Sequence, residues 1–202
     1  MARELQLRRG GNTWGQPIAV QRARTNPFNN DVSTTATIRA MGRVARQCAN
    51  DPLVVAATAD ALSAGAYSQR MAASAIFHWV RSNIRFVEDE ELMYQEFGIA
   101  PAELDKELLI IPPVLLAMPE PMGDCDCFSM LLASMLLCAG ITPYFVTVAA
   151  DPEDPRKFSH VYVCACLKDE GTHMCLDAGN RLSMVPPGWE ANEVTRKAIW
   201  AV

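Results

Sequence analysis

Apolar positions change their rhythm several times along the chain. Through residues 1–32 they show no sustained period: Trp14, Ile18, Val20 and Phe28 stand apart among Gly10-Gly11, Gly15, Pro17, Pro27 and Asn29-Asn30, as in an irregular arm. From Ser33 the spacing turns helical. Ser33, Thr34 and Thr35 offer caps, and Ile38, Met41, Val44 and Ala45 recur on one face, predicting a first helix up to Asn50. Asp51-Pro52 is a cap followed by proline in the first turn, which predicts a second helix to about Leu62. A third is expected from Tyr67 to Ser82, with Met71, Ala75, Phe77, His78 and Trp79 on and beside its buried stripe. Ile84 to Val87 then reads as extended.

The pattern fails between Glu88 and Met122, where Pro101, Pro112, Pro113, Pro119 and Pro121 interrupt it; a long irregular connection is expected. Asp126 to Gly140 is the strongest helix, with Phe128, Leu131, Leu132, Met135, Leu136 and Ala139 as its stripe and Gly140 as its stop. Three strands follow, Tyr144–Ala149, His160–Leu167 and Thr172–Asp177, the last two joined by the hairpin turn Lys168-Asp169-Glu170-Gly171. Beyond Asn180 the expectation is loop plus a short terminal segment, with Trp189 and Trp200 packed on the body. The organisation is thus an extended basic arm over 1–32 and one domain over 33–202, helical over 33–83 and with its core over 84–202.

Composition changes this picture little. Half of the 202 residues are apolar and a fifth charged, as in a globular domain long enough to need neither disulfides nor a structural metal. The net charge of −5 argues against nucleic acid as a partner, although residues 1–30 hold five arginines and one acid. Glu4, Arg8 and Arg9 stand where an export signal would be apolar, and the run from Cys127 to Ile141 contains Ser129 and Ser134 and is too short for a bilayer. A cytoplasmic chain without a membrane partner is expected. With seven cysteines and no export signal, reduced thiols are the default.

One thiol differs from the rest. Gly123-Asp124-Cys125-Asp126-Cys127 stands at the start of the apolar helix, where exposed N–H groups and the helix dipole favour thiolate. A thiolate nucleophile needs a base, and the chain offers His78, His160 and His173. His78 lies inside the third helix and reads as a structural residue partly in the core. His160 opens a strand, at the rim of a rigid element. If Lys168 opposes Gly171, Asp177 falls opposite Tyr162 and one same-face step from His160, within side-chain reach. There it can orient the imidazole and stabilise its cation. The same alternation sets His173 near the turn, far from the rim.

Gly123-Asp124-Cys125-Asp126 with its helix, Phe158-Ser159-His160-Val161-Tyr162-Val163, and Cys175-Leu176-Asp177 together resemble the transglutaminase-like cysteine-protease superfamily, most of all its small bacterial and phage-encoded members. Trp79 to Phe86 is similar to the helix-to-strand entry ahead of the cysteine in such proteins. The resemblance covers about residues 70–180 and leaves the N-terminal part unexplained. It implies an α+β, papain-like core with the nucleophile helix packed on an antiparallel sheet. It also implies Cys125 as nucleophile, His160 as general base and acid, Asp177 as orienting carboxylate, and the Cys125 backbone N–H as oxyanion donor. The chemistry would be acyl transfer through a thioester, from a protein or peptide amide to water or to an amine, with no cofactor.

Family members commonly carry an acidic residue where this chain has Cys127. Two helical residues turn by about 200°, so Cys127 cannot share the face of Cys125, and it reads as a packing variant. Cys164, Cys166 and Cys175 share a strand face with His173, but a thiol-rich core is expected there, with no metal. The alternative function is that of an inactive virion or assembly component, in which the same fold binds a partner and the arm orders on binding.

Overall fold

The computed structural model describes residues 30–88, 91, 106–180, 185–190 and 194–202, together with short strands at 8–9, 12–13 and 18–21. In chain order the elements are β1 (Arg8–Arg9), β2 (Asn12–Thr13), β3 (Ile18–Gln21), α1 (Asn30–Cys48), α2 (Pro52–Ala61), α3 (Gln69–Asn83), β4 (Arg85–Phe86) and β5 (Lys106–Leu109). They continue with α4 (Pro112–Ala117), β6 (Met122–Gly123), α5 (Cys125–Cys138), β7 (Thr142–Val148), β8 (His160–Leu167), β9 (Thr172–Leu176) and β10 (Lys197–Ala201).

Helix α5 is the axis of an α+β fold. Its sequence is apolar on every side, and every residue from Asp126 to Leu136 is buried, as expected of a helix enclosed by other elements. Helices α1, α2, α3 and α4 pack on it from one side, and β7 and β8 from the other. Its one interior serine on the far turn, Ser134, donates its hydroxyl to Met130 O at 2.8 Å, so no polar group is left orphaned there. Gly140 ends the helix in the left-handed region, φ 74°, while Ile141 N donates to Leu136 O at 2.9 Å.

The main sheet is antiparallel, in the order β10-β7-β8-β9. Val161, Val163, Ala165 and Leu167 of β8 face α5, joined by Phe145, Met174 and Leu176 in the principal core. The alternate positions Tyr162 and Cys164 face away, with Val146, Val148 and Cys175, in a second cluster that Tyr144 and Val194 adjoin. The hairpin β8–β9 has the register expected from its turn, with Cys164 opposite Cys175 and Leu167 opposite Thr172.

Helix α3 clamps that turn. Gln69 Oε1 accepts Lys168 N at 2.6 Å, Gln69 N donates to Asp169 Oδ2 at 2.9 Å, and the Arg70 guanidinium bonds both carboxylate oxygens of Glu170.

Several expectations are corrected. The buried face of α3 is Ala72, Ala73, Ile76, Phe77 and Val80, so Met71 and His78 are exposed and His78 is not a core residue. The proline-rich connection is less irregular than expected: it contains β5, α4 and β6, and β6 pairs in parallel with β4. Within the arm, β3 pairs antiparallel with β5, which gives Ile18–Gln21 a place on the chain's own body. The short strands β1 and β2 of the arm pair with each other, α1 already begins at Asn30, and Trp14 and Phe28 lie outside the described residues. The terminal segment is a strand, β10, whose Trp200 donates its indole N–H to Thr147 Oγ1 at 2.9 Å. Trp189 is half-buried. Among the described residues no helix is long and apolar enough to cross a membrane.

Candidate active site

The site is assembled from the first turn of α5 upward. Asp124 is the cap, and its Oδ1 accepts the backbone N–H groups of Asp126 and Cys127 at 3.2 and 3.4 Å. Cys125 is therefore the first helical residue, half-buried, while Cys127 is fully buried. The two cysteines point to different surroundings, as the helical rotation predicts. Gly123 is moulded to Cys127: a Cβ placed on it would lie 2.6 Å from the Cys127 Cβ and 2.9 Å from its Sγ. Asp126 is buried in the first turn, where a carboxylate is favoured by the helix dipole.

One turn further, Ser129 Oγ donates to Val161 O at 3.2 Å and fastens the start of α5 to the start of β8. Immediately before Val161 stands His160, whose side chain is 19% exposed. Its Nε2 lies 2.9 Å from both carboxylate oxygens of Asp177, a residue buried to 1% exposure just past the end of β9. Asn180 Nδ2 donates to Asp177 Oδ2 at 3.0 Å and fixes the carboxylate from its other side.

The loop carrying Asp177 then turns back over the helix. A Cβ built on Gly179 would stand 3.2 Å from the Cα of Cys125 and 3.6 Å from its Cβ. A side chain there would force the backbone apart by a few tenths of an ångström, which glycine avoids. Thus four successive residues, Asp177 to Asn180, hold the imidazole at one end and lie against Cys125 in the middle. The hairpin alternation anticipated the His160–Asp177 pair, and the helix start anticipated the position of Cys125. Sequence reasoning missed Asp124 as the cap and Gly179 and Asn180 as parts of the site. An acidic residue directly before the helix, and the pair Gly179-Asn180 one residue beyond Asp177, were the available signals.

Tyr162 lies in the next row of the same strand face, its ring 6.2 Å from that of His160. Burial, reinforced by the negative charges of Glu190 and Asp177, raises its pKa above the ordinary value for a phenol. Its hydroxyl is buried with no hydrogen-bond partner among the described residues.

The expectation of reduced thiols on this face is corrected. Cys164 and Cys175 form a disulfide, because the register sets them directly opposite each other on one face with Cα atoms 3.9 Å apart. Cys48, Cys125, Cys127, Cys138 and Cys166 are not part of a disulfide. His173 is exposed near the turn, opposite Cys166, and takes no part in the His160–Asp177 pair. Two groups among the described residues bring potential metal-ligand atoms within 4.8 Å of one another: Asp124, Asp126 and Cys127, and His173, Cys175 and Glu190. In the first, Asp124 already serves as the helix cap.

No protein-family model matches the sequence, and no curated protein matches it. Among solved structures, one described as "Crystal structure of a TGase" is similar to this chain, with a TM-score of 0.44 and 12% sequence identity over 85% of this chain. The chain spans 38% of the length of that protein.

Proposed function

We propose that the chain is a thiol enzyme that transfers an acyl group from a protein or peptide amide through a thioester on Cys125. The observation that carries this reading is the His160–Asp177 pair held by a loop that also lies against Cys125. Because Nε2 is committed to Asp177, the remaining ring nitrogen, Nδ1, is the one that takes the thiol proton. The first-turn position of Cys125 favours the thiolate so formed. The thiolate attacks the amide carbonyl, and the charge that develops on oxygen is met by the backbone N–H of Cys125. Protonated His160, steadied by Asp177, returns its proton to the departing amine. Water or a second amine then attacks the thioester, with His160 again as base. In one case the outcome is hydrolysis, in the other amide exchange.

Alkylation by iodoacetamide at neutral pH tests the nucleophile, with Cys138 and Cys166, also partly exposed, as internal comparators. Cys125 should react at least about tenfold faster than either, and His160→Ala should remove that advantage. Incorporation of a fluorescent primary amine into a glutamine-containing protein, run beside hydrolysis of a peptide amide, separates transfer from hydrolysis. Cys125→Ser should abolish both. Equal alkylation of all accessible thiols, or activity that survives Cys125→Ser, overturns the reading and leaves the fold as a binding module, such as a virion or assembly component.

A further inference from the structure

The face of the hairpin that looks away from α5 carries a concentration of soft ligands that the proposed reaction does not use. Cys164 and Cys166 alternate on β8, Cys175 and His173 stand opposite them on β9, and Glu190 reaches over from the segment beyond the hairpin. Donor atoms of His173, Cys175 and Glu190 lie within 4.8 Å of one another. Tetrahedral zinc, with bonds of about 2.3 Å to sulfur and about 2.0–2.1 Å to nitrogen or oxygen, sets its ligands roughly 3.5 Å apart, so modest side-chain rotations close the set. The imidazole of His173 takes part in no hydrogen bond among the described residues, and its ring lies 6.2 Å from that of Tyr144. Glu190 is held by Lys197, an exposed cation that can be released to water.

The three donors lack a fourth, and the disulfide conceals it. We propose that once a dithiol reduces the Cys164–Cys175 bond, Cys164, Cys175, His173 and Glu190 form a tetrahedral site for a borderline-soft divalent cation, zinc being the natural occupant. In the reduction, the dithiol gives two electrons and two protons to the two sulfurs and becomes a disulfide itself. On binding, the two thiols lose those protons to solvent and two sulfur–metal bonds form. Cys164 lies directly opposite Cys175, so both thiolates project from one rung of the ladder. The hairpin backbone is rigid on both sides of that rung, its turn clamped by α3 and its open end by the His160–Asp177 contact. The hairpin is then cross-linked in either redox state, covalently when oxidised and through the metal when reduced. This site stands apart from Cys125, and its existence does not depend on the acyl-transfer reading.

Cobalt(II) titration of the full chain, reduced with a phosphine that offers no thiol ligand, tests the site through thiolate-to-cobalt charge-transfer absorption and the intense visible bands of tetrahedral cobalt. The expected result is one cobalt per chain, displaced by zinc, with no such spectrum before reduction. His173→Ala alters an exposed side chain and should weaken binding by at least about tenfold, since even outer-shell changes at metal sites cost that much. Cys164→Ser/Cys175→Ser should lose the charge-transfer band. Absence of binding after reduction, binding of equal strength in His173→Ala, or a charge-transfer spectrum retained in the double variant each overturns the proposal.

Discussion

The Nε2 atom of His160 is equidistant, at 2.9 Å, from the two carboxylate oxygens of Asp177. Asp177 is almost wholly buried, so it acts on the imidazole through a dry contact in which a charge interacts more strongly than in water. Asp177→Asn keeps the shape but places an amide donor where only acceptors stand. Turnover should fall by roughly 10²–10⁴-fold while the folded state survives. Steady-state kinetics with the amine-incorporation or peptide-amide assay measures this, and activity within about twofold of the parent would remove Asp177 from the orienting role.

Gly179 offers a test of distance. Its neighbour at 3.2 Å is backbone, the Cα of Cys125, and cannot rotate away. Gly179→Ala should push the loop a few tenths of an ångström from the helix start, lowering turnover by about tenfold with a stability change under about 1 kcal/mol. Gly179→Val should cost more in both respects. Alkylation rates of Cys125 report the displacement, and an unchanged rate in both variants would show that the loop does not set the thiol's surroundings.

Much of this arrangement was legible in the sequence, for a definite reason. The turn Lys168–Gly171 and strict alternation together determine which side chains oppose which, so the His160–Asp177 neighbourhood follows from counting. Helix boundaries marked by side-chain chemistry were equally readable: Asp51 caps α2 by accepting Leu53 N at 2.9 Å, as Asp51-Pro52 foretold. What escaped depends on partners remote in sequence. The two-residue strands β4 and β6 exist only because they pair with each other. β10, with its Lys-Ala-Ile-Trp-Ala pattern, becomes a strand by lying along β7. On α3, alternative apolar stripes one position apart compete, and packing against α5 kept the expected Phe77 but buried Ala73, Ile76 and Val80 beside it and left Met71 and His78 exposed. The disulfide was missed because thiol chemistry was argued from the absence of an export signal, although the register already faced Cys164 with Cys175.

Gly123 carries a stability prediction. Gly123→Ala forces a Cβ to within 2.6 Å of the Cys127 Cβ at the buried junction of β6 and α5, and should cost about 1–3 kcal/mol by denaturant unfolding. Cys127→Ala removes the sulfur but leaves that Cβ, so it should rescue the variant only in part. Full rescue by Cys127→Ala would place the clash at the sulfur instead.

Alkaline pH should reveal Cys48. Burial, with a smaller contribution from Asp51, pushes this thiol from 9.0 up to about 11. The folded state therefore keeps a proton that the unfolded chain releases, and stability should be intact below pH 9.0 and decline toward about 11. One such proton gives a slope of at most about 1.4 kcal/mol per pH unit. Tyr162, also shifted upward by burial, adds to the decline in the upper part of the window. Cys48→Ala should flatten the profile between pH 9.0 and 11 in denaturant titrations; an unchanged slope would assign the loss to other groups.

The pleat of β8 and β9 has a consequence for how this hairpin can vary. Consecutive residues point to opposite faces, and His160 and the sulfur-bearing rung occupy the same parity on one strand. An insertion of a single residue between His160 and Cys164 would turn one of them through the sheet, whereas a pair of residues restores the parity. Natural or engineered variation in this stretch should therefore tolerate length changes in steps of two and reject odd ones, a parity rule that a small library of insertions would expose directly.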